Sequence, residues 1–459
     1  MAEKFNNSSK KDSAKDFASE EEKKGLMMAS TDRHNNTGSF APGSVSMNED
    51  GSSTSIDSAF RVIEMIVFLR DRTGIHFNLE DGHLAQADDL LDLAIDEKNL
   101  PDIAKQAFAL WIVSDLLDLR MKRSHHPYHV VEKWDELCVI YTGAEFEDIV
   151  KSEPVLMVQR DVFFTLDQER NITNEQMLCL LYHEAKFNVI EGRYVLFPED
   201  YNRLAGLQAL IHLGKYDPKE HVPARYRSSM IQFYPEHMYQ KQKFLFFTSS
   251  KNNEGVDCED LMRGAHQELS NEFADLDIPN NLSLLYQKYL DVCRSYPMYG
   301  SAFFHGQIER PVNRFKRMMN IGTSVKCLIA INTDCVTLID KESHVVVLTV
   351  PFTQLSWRYK EAEFDVDDET LDCLYLQFLY DCPQQGQVTK LLEVYSKEAK
   401  LMDALISSCV KRKLDLGVEP EDFVDSRHVT SDSDNNPKVI HKMDKLCCAT
   451  YTVQGNRID

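Results

Sequence analysis

A chain of 459 residues that is 43% apolar and carries a formal net charge of −22 is long enough for roughly three domains and apolar enough for sizeable cores. Its acidity sets it against broad nucleic-acid binding, because a phosphate field would be repelled rather than neutralised. No run of about 20 apolar residues is present to cross a bilayer, and the opening MAEKFNNSSKKD lacks the apolar stretch of a signal peptide.

A cytosolic chain is therefore expected, with the sequons at Asn171 and Asn281 unglycosylated. The 11 cysteines include no C-x-x-C pair and read as packing thiols in a reducing compartment. Cys447-Cys448 in KLCCATYT is the exposed exception, read first as a tail pair without function and second as a site of reversible acylation. Residues 1–57 are Ser, Asn, Lys, Glu and Gly with few aromatics, too polar to offset their ordering entropy, so a disordered arm is expected. The acidic stretch over 414–459 is read the same way.

Between the tails the hydrophobic period changes twice. In the first block, 58–143, RVIEMIVFLRD, a turn at Arg72-Thr73-Gly74 and IHFNLE predict a two-stranded hairpin. Leu84, Ala87, Leu91, Ala94 and Ile95 then recur at helical spacing, and short strands are expected at 110–113, 117–121 and 137–141. That order suits a small ubiquitin-like roll.

The second block, 150–295, is helical. NEQMLCLLYHEAKFNVIEGRY and PEDYNRLAGLQALIHLGKY carry apolar residues at three- and four-residue steps, the second ending at Gly214 as a C-cap. CEDLMRGAHQELSNEFADL and LSLLYQKYLDVCRSY predict two further helices, the last with Leu282, Leu285, Tyr289 and Val292 on one face. HEAKF at 183–187 falls one residue short of the H-E-x-x-H zinc motif: Phe187 stands where the second imidazole is needed, which leaves His183 and Glu184 without a tetrahedral set. The expectation is a packing helix, with Leu181, Ala185 and Val189 facing inward.

The third block, 296–413, offers strand-length runs from AFFHGQIER through SVKCLIAIN, CVTLIDKES, HVVVLTVPF, QLSWRY, LDCLYLQFL and VTKLLEVYS, closed by the helix KEAKLMDALISSCVKRK. Seven strands and a C-terminal helix are the plan of a PH/PTB-like sandwich.

A ubiquitin-like lobe F1, a helical-bundle lobe F2 and a PH/PTB-like lobe F3, in that order, resemble the FERM cloverleaf, an α+β multidomain class. LLYHEAKFNVIEGRY before LAGLQALIHLGKY resembles the F2 helix pair, and PMYG before AFF resembles the entry into F3. DIAKQAFALWIVSDLLDLRMKRSHHPY, YGSAFFHGQIERP and LLEVYSKEAKLMDALI set the chain apart from the ezrin-radixin-moesin branch, and the residues after 413 are too few for that branch's coiled coil and actin-binding tail. The resemblance implies a non-catalytic cytoplasmic adaptor without cofactor, peripheral at the inner face of the plasma membrane. Its implied partner is the cytoplasmic tail of an iRhom pseudoprotease, in support of the TACE sheddase, with a role in Wnt co-receptor signalling. The alternative is a small-GTPase effector of the Krev-interaction-trapped type. No phosphatase H-C-x5-R or kinase motif set is present.

Three candidate sites follow. Leu355, Ser356, Trp357, Arg358 and Tyr359 on the fifth strand of F3, facing Leu401 and Leu405 on its helix, mark a groove for an extended peptide; the competing reading makes Trp357 core. Arg120, Lys122 and Arg123 in F1, with Arg314, Lys316 and Arg317 in F3, mark an inositide-type contact with the anionic leaflet, against ordinary solvated charge. His125, His126 and His129 in SHHPYH lack rigid facial geometry and a neighbouring carboxylate, so a surface loop is favoured over a metal site.

Overall fold

The computed structural model describes residues 62–227, 229–239, 258–311, 324–362, 370–382, 385–417, 441–452 and 454–458. The arm 1–57 therefore lies outside the described residues. Strands β1 (Val62–Leu69) and β2 (Gly74–Glu80) form the expected antiparallel hairpin, Val67 opposite Ile75. Its turn is held by Asp71, whose carboxylate accepts from the Thr73 amide at 2.9 Å while Arg72 takes a φ of 72°. Helix α1 (Ala87–Glu97) starts at a capping box between Gln86 and Asp89 and buries Leu90, Leu91, Ala94 and Ile95. Leu84 lies before it in a short turn and is exposed.

The lobe continues through β3 (Phe108–Val113) and β4 (Asp118–Arg120), then departs from expectation twice. Residues 137–141, expected as a strand, belong to helix α2 (Trp134–Tyr141). Trp134 and Cys138, one helical turn apart, are buried, whereas Val139 and Ile140 are exposed, an arrangement that a strand's alternation does not give. The missing strand is β5 (Val155–Arg160), inside the block assigned to helices from 150 onward. It lies parallel to β1 and antiparallel to β3, completing the order β2-β1-β5-β3-β4. The first lobe therefore runs past 143 to Arg160.

The helical lobe comprises α3 (Leu166–Arg170), α4 (Glu175–Ile190), α5 (Pro198–Leu213), α6 (Cys258–Glu272) and α7 (Leu282–Arg294). Asn174 caps α4 by accepting the Met177 amide, and α5 ends at Gly214 with φ 76°. Leu181, Ala185 and Val189 face the core. On α7 the buried set is Leu285, Tyr286, Tyr289, Leu290 and Cys293, so Leu282 and Val292 sit at its margin. Gly206 on α5 lies so close to α6 that a Cβ there would be 2.7 Å from the Ala265 carbonyl oxygen.

The third lobe is a sandwich of β6 (Ala302–Glu309), β7 (Ser324–Ile331), β8 (Cys335–Asp340), β9 (Val345–Pro351), β10 (Leu355–Lys360), β11 (Cys373–Cys382) and β12 (Gly386–Tyr395), with helix α8 (Ala399–Asp415). Sheet order is β10-β11-β12-β6-β7-β8-β9. An additional strand, β13 (Cys448–Tyr451), pairs with β12. It comes from the region expected as a disordered tail over 414–459, and that expectation fails for 414–417, which end α8 and its cap, and for 441–452 and 454–458: Leu446 is buried in the lobe's core with Met443 and Cys448 against it.

One apolar core runs through the first two lobes and reaches Leu328, Ala330, Ile339 and Val346 of the third, and a second fills the sandwich and takes in Ala109 and Trp111 from the first lobe and Val162 just after it. Where the lobes meet, Glu169 on α3 is fully buried between two guanidiniums. Arg160 Nε donates to it at 2.6 Å and Arg294 Nε at 2.8 Å. Tyr299 donates its hydroxyl at 2.5 Å, and Arg160 also reaches the carbonyls of Asp161, Phe164 and Gly300. Burial alone would raise the Glu169 pKa, but Arg160 and Arg294 outweigh it and hold the carboxyl below its ordinary value. The PMYG motif thereby acquires a physical reason. Tyr299 supplies a buried donor, and Gly300, at φ 68°, leaves room where a Cβ would lie 2.6 Å from Arg160 Nη1.

Candidate peptide-binding site

Among the described residues β10 ends its sheet order, paired with β11 on one side with Trp357 opposite Leu376. Period-2 alternation divides its side chains: Leu355, Trp357 and Tyr359 turn toward the core and α8, and Ser356, Arg358 and Lys360 are exposed. Leu355 is buried, whereas Trp357, Tyr359, Leu401 and Leu405 are partly buried against the core. Of the five named strand residues, Leu355, Trp357 and Tyr359 pack on the same core as Leu401 and Leu405, Ser356 and Arg358 turn the other way, and Trp357 is neither wholly core nor wholly exposed. Its indole Nε1 donates to Asp403 on α8 at 3.0 Å, tying strand to helix. The Tyr359 hydroxyl donates to Asp372 at 2.7 Å, and burial with that carboxylate raises the phenol pKa. Asp403 and Asp372 escaped the sequence reading, although an aspartate between Leu401 and Leu405 is a signal for a polar tether on an otherwise apolar helix face.

On the exposed side of the same strands lies a concavity of about 470 Å³ lined by Ser356, Trp357, Arg358, Lys360, Tyr375, Gln377 and Leu391. The register aligns Ser356, Gln377 and Leu391 across three strands, with Ala449 of β13 next in the row.

The basic cluster in the first lobe is largely engaged. Arg120 makes a bidentate pair with Asp161 at 2.8 and 2.6 Å, and Arg123 binds Asp88 and the Lys105 carbonyl. Lys122 is exposed. Arg314, Lys316 and Arg317 lie outside the described residues. The imidazoles of SHHPYH are directed separately: His126 Nδ1 meets the Leu84 carbonyl, His125 Nδ1 accepts the Lys122 amide, and His129 Nδ1 meets Glu132, a neighbouring carboxylate that the sequence reading overlooked. In HEAKF, Glu184 accepts the Arg160 amide at 2.7 Å and joins α4 to β5, while burial lowers the His183 pKa. Cys447 is exposed and Cys448 half-buried on β13.

Two family models match the chain: the FERM central domain over residues 167–304, and the KRIT1/FRMD8 FERM domain C-lobe over 325–405, which spans β10 and reaches Leu405. The chain is 32% identical over 360 residues to FERM domain-containing protein 8 of Xenopus tropicalis, covering 78% of each chain. It is 32% identical over 387 residues to the human protein of that name, covering 84% of this chain and 80% of the relative. Among solved structures, the human myosin 7b C-terminal MyTH4-FERM domain, in complex with the harmonin-a PDZ3 domain, aligns with a TM-score of 0.49 at 16% identity, over 77% of this chain and 60% of that one. Identity at this level over more than three quarters of the relatives, with both models falling on the lobes that carry the buried junction and the groove, places the chain in the FERM domain-containing protein 8 family.

Proposed function

We propose that this FERM adaptor binds the cytoplasmic tail of a transmembrane protein by adding the tail as a strand along the outer edge of β10, with its apolar side chains against Trp357, Leu401 and Leu405. The observation that carries the reading is the position of β10 at the end of the sheet beside a helix whose facing leucines are only partly buried. Backbone bonds along such an edge supply affinity, and pockets for alternate side chains supply specificity. The finer partner follows the family resemblance: an iRhom pseudoprotease tail, which supports the TACE sheddase at the cell surface, with a second role in Wnt co-receptor signalling. The protein then works at the inner face of the plasma membrane. With Arg120 and Arg123 engaged in ion pairs, leaflet contact from the first lobe falls to Lys122, worth about 1 kcal/mol.

Trp357→Ala and Leu405→Asp are expected to weaken tail binding by at least about tenfold while the lobe stays folded, since a central aromatic commonly dominates such an interface. Affinity for an iRhom tail peptide is measured beside circular dichroism and melting. Unchanged affinity in a folded variant would remove the β10 groove from the reading. The shared C-lobe model with KRIT1 favours a second reading, in which the protein is a small-GTPase effector. Capture of the partner that requires GTP would select it, and capture insensitive to nucleotide would select the tail-binding adaptor.

A further inference from the structure

The C-terminal segment crosses both halves of the third-lobe sandwich. His441 bridges to Leu348 on β9, and the Lys442 amide donates to the Val347 carbonyl at 2.9 Å. The His441 ring lies 5.6 Å from that of Phe378 and 5.7 Å from that of Tyr380 on β11. Leu446 then enters the core at 4% exposure, and the Cys447 amide donates to the Glu309 carbonyl at 3.2 Å. β13 follows antiparallel on β12: Leu392 faces Cys448, Leu391 Ala449, Lys390 Thr450 and Thr389 Tyr451, with Lys390 Nζ donating to Thr450 Oγ1 at 2.8 Å. Beyond it the chain turns back, and the Ile458 amide donates to the Thr450 carbonyl at 2.9 Å, which covers the outer side of the added strand.

We propose that the edge of β12 is a second strand-docking site, whose resident occupant is the chain's own C-terminus and whose exchanging occupant is an extended peptide from a partner protein. This goes beyond the tail-binding reading of β10, because the two edges belong to different strands. Three observations carry it. The occupant is short, four paired residues, and a pairing of that length is marginal by itself. Leu446 is the apolar side chain of this segment that the core takes in fully, while its other ties to the lobe are backbone bonds and partly buried contacts that a second peptide of like chemistry could also make. In the chain the strand follows α8 after 418–440, a stretch rich in Asp, Glu and Ser with no long apolar run, so it stays covalently joined to the lobe when unpaired.

A tethered strand holds its site at an effective concentration in the millimolar range, so a partner must match its chemistry closely to exchange with it. That chemistry is an aliphatic residue two positions before a run of small and β-branched residues, with an acceptor opposite Lys390. β12 is covered on its other side by β11 throughout its length, so exchange opens an edge and leaves the Leu392 and Val394 side chains packed.

The test uses the full chain and a labelled synthetic peptide of residues 441–458 as the probe. Leu446→Asp in the full chain removes the anchor of the tethered strand; it should then take the wild-type peptide saturably and at least about thirtyfold more tightly than the unaltered chain does. A peptide carrying Ala449→Pro, which loses a ladder donor, should fail to bind. The proposal is overturned if the L446D chain, melting as the unaltered chain does, takes no peptide, or if the A449P peptide binds equally well. It is also overturned if the L446D chain loses amide protection through the whole third lobe rather than at Thr389–Leu392 alone, which would make the segment a fixed part of the core. A concentration-dependent dimer of the L446D chain would reassign the exchanging occupant to a second copy.

Discussion

Glu169→Gln should destabilise the protein by about 3–5 kcal/mol, measured by urea unfolding, because it leaves two buried guanidiniums without their shared carboxylate. The size of the effect follows from environment. The carboxylate is wholly buried, it accepts from Arg160, Arg294 and Tyr299, and both cations are themselves nearly inaccessible. Glutamine keeps the shape and one acceptor but supplies no charge. The same carboxyl sets an acid limit. Its folded pKa lies below its ordinary 4.5, so its contribution is complete above the unfolded value and is lost as pH falls through the folded one. Wild-type stability should therefore drop below about pH 4.5 more steeply than that of E169Q. Equal slopes, or a loss under about 1 kcal/mol at neutral pH, would mean that the junction is held by packing alone.

The second large effect is expected at Gly206. Valine there should cost about 3 kcal/mol, because α5 and α6 approach backbone to backbone and the Ala265 carbonyl cannot turn aside as a flexible side chain could. Alanine offers an informative contrast: it gains about 1 kcal/mol of helix propensity against the same first-carbon clash, so its net loss should be smaller. Thermal melts of the two variants check this order. A valine variant as stable as the parent would show that the helices slide apart freely, contrary to the close approach in the structure.

The sequence made much of this architecture legible where pattern and local turn chemistry agree. The alternation of β2 and β10, the three- and four-residue steps of the long helices, and the short lengths and turn residues that bound the continuous apolar runs of the third lobe each favour the conformation found. Errors fell where the apolar run was short. Leu137–Tyr141 reads LCVIY, apolar throughout, and a five-residue run cannot separate strand from helix by periodicity. β5 was hidden for a different reason. Its partners, β1 and β3, lie far upstream, and nothing local in VLMVQR says that it returns to them. The strand at Cys448–Tyr451 was masked by the acidic composition preceding it, although Leu446, Cys448 and Thr450 alternate inward. The placement of β10 beside α8 was readable from their runs and the Trp357–Asp403 tether was not, because a single polar pair has no period. The junction of Arg160, Glu169, Arg294 and Tyr299 was invisible for the same reason, its members standing up to 140 residues apart at Gly300.

That junction also decides where mechanical load travels. Arg160 and Glu169 stand where the chain enters the helical lobe, and Arg294, Tyr299 and Gly300 where it leaves, so the charged cluster shorts the entrance to the exit. Load applied between the first and third lobes would meet those bonds, and the apolar contact of Ala109 and Trp111 with the sandwich core, without having to pass along the chain of the helical lobe. The helical lobe then rides beside the line of force, free to present its outer faces while the other two bear the tension.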